Sequence, residues 1–190
     1  MSNEIQELIK EWKTIVRIEI LLISFLWMVF LLDTLLFRGG LSRNGIHPRE
    51  FSHLPGILFS PFLHGTLKHI FGNSVGIVLL GSFILLRSIS KFMVVSIISI
   101  LISGTGIWVI GGGHTNHIGF SGVIFGYLGY LLFTGVFDKK IGSLLITAVS
   151  AILYGGMIFG VLPTQPGVSW EAHFFGFGGG VLSAFVLSKK

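Results

Sequence analysis

The chain has 190 residues, a formal net charge of +5 and no cysteine; 52% of its residues are hydrophobic and only 11% are charged, for a mean hydropathy of +0.86. A water-soluble domain carries about 25% charged residues, so most of this surface faces lipid. The lack of cysteine excludes disulfides, thiolate metal sites and cysteine nucleophiles, and the cations lie in short gaps between apolar runs rather than in a patch suited to nucleic acid.

Residues 1–14 form a first segment. MSNEIQELIKEWK lacks the basic start, short apolar core and cleavage site of a signal peptide. Ile5, Leu8, Ile9 and Trp12 recur at helical spacing among Glu4, Glu7, Lys10 and Glu11, a pattern that predicts a short interfacial helix on the membrane. Residues 15–190 carry six apolar runs: Ile15 to Phe37, Leu67 to Leu86, Phe92 to Ile110, Ser121 to Phe137, Ile141 to Leu162 and Ala172 to Leu187. Spanning the hydrocarbon takes ~20 helical residues, and open sheets leave backbone groups unpaired in lipid. The fold expected is therefore an all-α membrane bundle of six transmembrane helices in one domain, without the internal repeat of an inverted-repeat transporter.

Basic residues set the orientation. Nine of them (Lys10, Lys13, Arg17, Arg87, Lys91, Lys139, Lys140, Lys189 and Lys190) fall on one side of this topology, and Arg38, Arg43, Arg49 and Lys68 on the other. The positive-inside rule then puts both termini in the cytoplasm. Nothing resembles an organelle-targeting extension, so the expected location is a bacterial cytoplasmic membrane.

Spans two, four and six all start on the external side, and their starts carry the unusual polar residues. These are His64, His69 and Asn73 in HGTLKHIFGN, Ser121 in HIGFSGVIFG, and Glu171 and His173 in EAHFFGFGGG. At ~1.5 Å per residue the parts below Ser121 and His173 are about 24 Å long and the part below Asn73 roughly 20 Å, against a core of about 30 Å. All three sites therefore sit several Å below the surface at comparable depth, where polar groups are costly unless paired or hydrated. Gly122 and Gly126 form a small-residue stripe in span four and Gly176 and Gly180 another in span six. Facing stripes would let the two backbones approach closely and bring Ser121 within reach of His173.

A hydroxyl at a helix start is often an N-cap. It becomes a nucleophile only when a base takes its proton, and histidine is the usual base near neutral pH. Asn73, His69 one turn earlier and the unpaired N–H groups opening span four supply donors for an oxyanion. Glu171, two residues from His173, points elsewhere on a helix, so a dyad is the economical reading.

These residues resemble the rhomboid family of intramembrane serine proteases. The resemblance covers about residues 15–188 and rests on three motifs in order: His-x4-His-x3-Asn in HGTLKHIFGN, GFSG opening span four, and Ala-His-x2-Gly-x3-Gly in AHFFGFGGG. It implies that Ser121 is the nucleophile and His173 the general base and acid, with His69, Asn73 and the Ser121 backbone N–H binding the oxyanion. It also implies that the ring of Phe125, often Tyr in relatives, packs on His173, that His64 supports the loop and site, and that Gly119 gives the loop its tight path. Two departures mark a divergent bacterial-type member. Pro55 and Gly56 stand where relatives often have Trp-Arg, and Leu85-Leu86-Arg87 ends span two where Glu-x-Arg is common.

The implied substrates are transmembrane proteins, with membrane lipid as surroundings, no cofactor, no nucleic acid and no obligatory protein partner. The loop at 163–171, PTQPGVSWE, is expected to cover the site and move for entry. The seven histidines raise a metal reading through His114 and His117 in HTNH, with His64 and His69 nearby in the topology, but no carboxylate pair or second close cluster completes a site, and no metal is expected. The rival function is a silent member that binds or escorts transmembrane clients without using Ser121.

Overall fold

A computed structural model describes residues 3–163 and 167–189. Six long helices run through it: α1 (Asn3–Leu35), α2 (Leu67–Leu85), α3 (Ile89–Ile110), α4 (Ser121–Asp138), α5 (Ile141–Tyr154, continued by a 3-10 stretch over Gly155–Val161) and α6 (Trp170–Ser188). Among the described residues the one β-type pairing is an isolated antiparallel bridge between Ile46 and His117. Five segments, α1 to α4 and the α5 stretch, are long and apolar enough to cross a membrane. The expected sixth, α6, folds as a 19-residue helix, but Glu171, His173 and its glycines dilute its apolarity.

The interfacial helix expected before the first span is not separate. Helix α1 runs unbroken for 33 residues through position 14, about 50 Å against a hydrocarbon core of about 30 Å. The two carboxylates that interrupt this apolar run are both used. Glu19 accepts from Ser82 Oγ at 2.6 Å, tying α1 to α2, and Asp33 accepts from the backbone N–H groups of Leu41 and Ser42 at 2.7 and 2.9 Å, closing the turn that follows. Trp27 adds an indole bond to Ser74 Oγ at 3.1 Å. Helix α2 opens on a Thr66 cap, with its hydroxyl accepting from His69 N–H, and changes to π geometry over Ile77–Gly81.

The centre of the bundle is α4 against α6. Most of α4 is buried, including Tyr127, Leu128 and Tyr130, while α5 buries only Ser143 and Ser150. The two glycine stripes face each other, as the sequence suggests. A Cβ at Gly176 would strike the Gly122 carbonyl, and one at Gly180 the Gly126 carbonyl. On the other side Ser99 and Ser103 of α3 fill the space beside Gly126 and Gly122. Such backbone contact maximises dispersion where no hydrophobic force drives helices together.

Both departures in the loops have structural substitutes. Gly56 opens a single helical turn (Gly56–Phe59), and a Cβ there would strike the Gly45 carbonyl. The loop is thus seated by backbone approach where a Trp-Arg pair is absent. Arg49, at φ 64°, donates to the Val109 and Gly111 carbonyls at 3.0 and 2.9 Å, completing the end of α3. Arg87 finds its carboxylate on α4. It meets Asp138 at 3.1 Å, Ser143 Oγ at 2.8 Å and Thr134 Oγ1 at 3.1 Å, joining α2, α4 and α5.

Candidate active site

Ser121 is the first residue of α4 and is half-buried. Its hydroxyl is not an N-cap: Phe120 holds that position and the helix start has no side-chain cap. By contrast Thr66, Ser88 and Ser169 each cap their helices by accepting from an N–H two or three residues on. Among the described residues the Ser121 hydroxyl thus has no hydrogen-bond partner. The N–H groups of Val123 and Ile124 are taken by the Phe120 carbonyl at 3.0 and 3.1 Å, while those of Ser121 and Gly122 have no backbone partner among the described residues. They are the open donors of a helix N-terminus.

His173 is buried at 8% exposure, one turn into α6. Its ring stacks on Phe125, with centroids 4.0 Å apart and planes 8° from parallel. Phe125 is four residues beyond Ser121, on the same face of α4, so the imidazole lies along the Ser121 face. Nδ1 of His173 contacts the Gly160 carbonyl at 2.8 Å. A carbonyl only accepts, so Nδ1 carries the proton and Nε2 keeps its lone pair. Gly160, from the 3-10 stretch after α5, thus orients the ring without a carboxylate. Sequence reasoning missed it, because a backbone oxygen leaves no mark on the pattern. Glu171 is turned away, as expected, accepting from Ser169 Oγ at 3.5 Å. No hydrogen bond joins Ser121 to His173 among the described residues.

The candidate oxyanion donors, His69 and Asn73, lie on α2. Asn73 and His64 are buried at 5% and 2% exposure. The Asn73 amide donates to His64 Nε2 at 2.8 Å, which holds the amide plane; its second N–H has no partner among the described residues. Burial, and secondarily the neighbouring His69, push His64 down to about 4 against the pull of the Phe62 backbone. The imidazole is therefore neutral and accepts from Asn73. His69 is half-buried, with its ring edge-on to His64 at 5.0 Å. Gly119 has φ +112°, donates its N–H to the Ser60 carbonyl at 2.8 Å, and would drive any Cβ into His69, with Asn73 Nδ2 only 3.4 Å away. The loop before Ser121 therefore runs directly against both donors, which only glycine permits. A cavity of about 20 Å³ behind the start of α4 is lined by Ser60, Ser103, His117, Ser169, Gly119 and Gly122 among others.

The grouping of His114 and His117 with His64 and His69 that a metal reading would need is not found among the described residues. Both ring nitrogens of His117 are occupied, by Ser169 Oγ and Thr115 Oγ1, each at 2.7 Å. Burial lowers the pKa of His117, opposed by Glu171 and aided by His47. A different trio, His47, Glu50 and His53, does come together in the first loop. Of the loop expected to cover the site, positions 164–166 lie outside the described residues.

An all-helical bundle with five apolar spans defines a multi-pass integral membrane protein. Residues 48–190 match the family model of the rhomboid domain, and the chain belongs to the rhomboid family. Its relatives include uncharacterised proteins of Mycobacterium tuberculosis and Mycobacterium bovis, each 36% identical over 174 residues, or 87% of this chain and 72% of the relative. An uncharacterised protein of Mycobacterium leprae is 35% identical over 173 residues, covering 87% and 68%.

Proposed function

We propose that this protein is an intramembrane serine endopeptidase that cleaves peptide bonds in or near transmembrane segments of other membrane proteins, using Ser121 and His173 as a dyad. The observation that carries the reading is the state of His173. Its ring is stacked on Phe125 and its Nδ1–H is spent on Gly160, so the lone pair is on Nε2, along the face of α4 that begins with a serine hydroxyl engaged in no cap bond. Rhomboid membership supports the same activity at the level of the family.

In this mechanism Nε2 of His173 takes the Ser121 proton as Oγ attacks the substrate carbonyl carbon. The two side chains close to hydrogen-bond distance with substrate in place, since such contacts are often longer in an empty enzyme. The oxyanion is held by the Ser121 N–H, the free Asn73 N–H and His69, donors fixed before reaction begins. His173 passes its proton to the leaving nitrogen, and the C–N bond breaks. Water from the external face then attacks the acyl-enzyme, giving its proton to His173, and Ser121 recovers a proton as the acid product leaves. The substrate must unwind locally, because a helical peptide bond is shielded by its own turns. Gly122, Gly126, Gly176 and Gly180 hold the distance between α4 and α6, and Gly119 and His64 hold the donors.

The chain in this reading crosses the membrane six times with both termini in the cytoplasm, in a bacterial cytoplasmic membrane. Cleavage of a transmembrane reporter by purified protein in detergent tests the proposal. Wild type is expected to cut, and Ser121→Ala and His173→Ala to be inert. Cleavage that survives Ser121→Ala refutes the mechanism; folded, inserted wild type that binds a transmembrane segment without cutting it establishes the escort function instead.

A further inference from the structure

The first loop holds a side-chain cluster that the protease reading does not use. Segment 47–53 is pinned to the end of α3 at several points. Arg49 N–H donates to the Trp108 carbonyl at 3.0 Å, the Trp108 indole donates to the Glu50 carbonyl at 3.2 Å, and the Phe51 ring meets Trp108 edge-on at 5.2 Å. Within the segment Glu50 N–H donates to the His47 carbonyl and His53 N–H to the Glu50 carbonyl, at 3.2 and 3.1 Å. Two tight turns, with Arg49 in the left-handed region, thus point residues 47, 50 and 53 the same way.

The result is two imidazoles and a carboxylate converging on one point. Glu50 Oε2 lies 3.2 Å from His53 Nδ1 and 4.0 Å from His47 Nδ1, and one ligand atom from each of the three residues falls within 4.8 Å of the others. The two rings lie 3.9 Å apart at the centroids. Ligands on a tetrahedral zinc ion, with bonds of about 2.0–2.1 Å, are about 3.3 Å from one another, so small side-chain rotations suffice. The orientation of His47 is the second, independent sign. Its Nε2 contacts the Arg43 carbonyl at 2.9 Å, so Nε2 bears the proton and the Nδ1 lone pair faces the cluster. Metal-bound histidines are held in this way, with the other ring N–H donated to a carbonyl or carboxylate. Arg49, the adjacent cation, is turned away onto the Val109 and Gly111 carbonyls.

We propose that His47, Glu50 and His53 form a binding site for a first-row divalent transition metal, zinc above all, through His47 Nδ1, His53 Nδ1 and a Glu50 oxygen. Two nitrogens and one oxygen suit zinc or its neighbours rather than calcium or magnesium, which take oxygen sets. The site is partly exposed, so water completes the coordination. Binding needs the His53 Nδ1 lone pair, so the Ser52 hydroxyl, 3.2 Å from that nitrogen, turns away and the metal enters between His53 and Glu50. The ion would staple the first loop where it rests on α3.

The test uses the full chain in detergent, without a polyhistidine tag and stripped by a chelator. Zinc is titrated in competition with a chromophoric chelator, and cobalt is added as a spectroscopic probe. With no cysteine in the chain, cobalt bands report nitrogen and oxygen ligands alone. Wild type is expected to bind one ion with visible d–d bands and to melt at a higher temperature with zinc. The His47→Asn, His53→Asn double variant and Glu50→Gln should lose the bands and the zinc-dependent shift while melting like metal-free wild type. His114→Asn, altered on an exposed loop nearby, should keep both. Absence of stoichiometric binding by wild type, or equal binding by the double variant, overturns the site.

Discussion

Substituting Gly176 with alanine tests the packing that sets the distance between the two candidate catalytic residues. The new Cβ would lie 2.8 Å from the Gly122 carbonyl carbon and 3.1 Å from its Cα, and closer still to the oxygen. Comfortable carbon contacts begin near 3.5 Å, and the atoms in the way are backbone, which no rotamer change can move. Helices α4 and α6 must part by on the order of 1 Å. Overpacking of this kind costs about 1–3 kcal/mol, and the upper end applies where backbone meets backbone. A displacement of ~1 Å in reacting groups costs roughly 100-fold in rate, so Gly176→Ala is expected to lose about two orders of magnitude in reporter cleavage and several degrees in Tm. The same helix supplies a control. Gly178 has nothing within 4 Å of its would-be Cβ, and Gly178→Ala should match wild type in both assays. If Gly176→Ala behaves like Gly178→Ala, the close approach of the two helices does not set the site and the reasoning fails.

Asn73→Ala removes one proposed oxyanion donor and should reduce kcat by ~100- to 1,000-fold with modest change in KM; a change confined to KM would remove Asn73 from the transition state. His64 is neutral in the fold, with its pKa lowered from 6.5 to about 4. The unfolded chain therefore binds the extra proton first as pH falls. Stability is unaffected by this group above about pH 6.5, falls as pH drops through that range, and the loss of about 3 kcal/mol is complete near pH 4. His64→Gln, which retains an acceptor for Asn73, should flatten that part of the Tm–pH curve, and an unchanged slope counts against a buried neutral His64. Arg87→Ala and Asp138→Ala should each lower Tm by a few degrees, and their double variant by less than the sum; full additivity would mean the pair does not couple α2 to α4.

The positions of these residues were unevenly legible in the sequence. Span boundaries followed from apolar runs, and the facing of Gly122 and Gly126 with Gly176 and Gly180 followed from small residues at helical spacing. The packing of Phe125 on His173 came from resemblance, and it is seen in the geometry. Gly160 was invisible because its role belongs to a carbonyl oxygen on a 3-10 stretch that periodicity reads as continuous helix. The continuity of the helix through residue 14 left no mark, because an amphipathic pattern passes there into an apolar run without a break, and the inward turn of Glu19 to Ser82 is a tertiary contact. The substitution of Asp138 for a carboxylate on α2 could not be seen, since Arg87 reaches it across 51 positions of chain. His47, Glu50 and His53 went unnoticed for a related reason: a left-handed Arg49 folds them together, and arginine gives no warning of that conformation.

The central claim is that Ser121 is a nucleophile activated by His173. It is tested most directly by treating detergent-solubilised protein with a fluorophosphonate and mapping the adduct by mass spectrometry. One adduct is expected, on Ser121, lost in Ser121→Ala and strongly slowed in His173→Ala while both variants keep the wild-type melting curve. An adduct on another residue, or labelling of Ser121 at the same rate without His173, would contradict it.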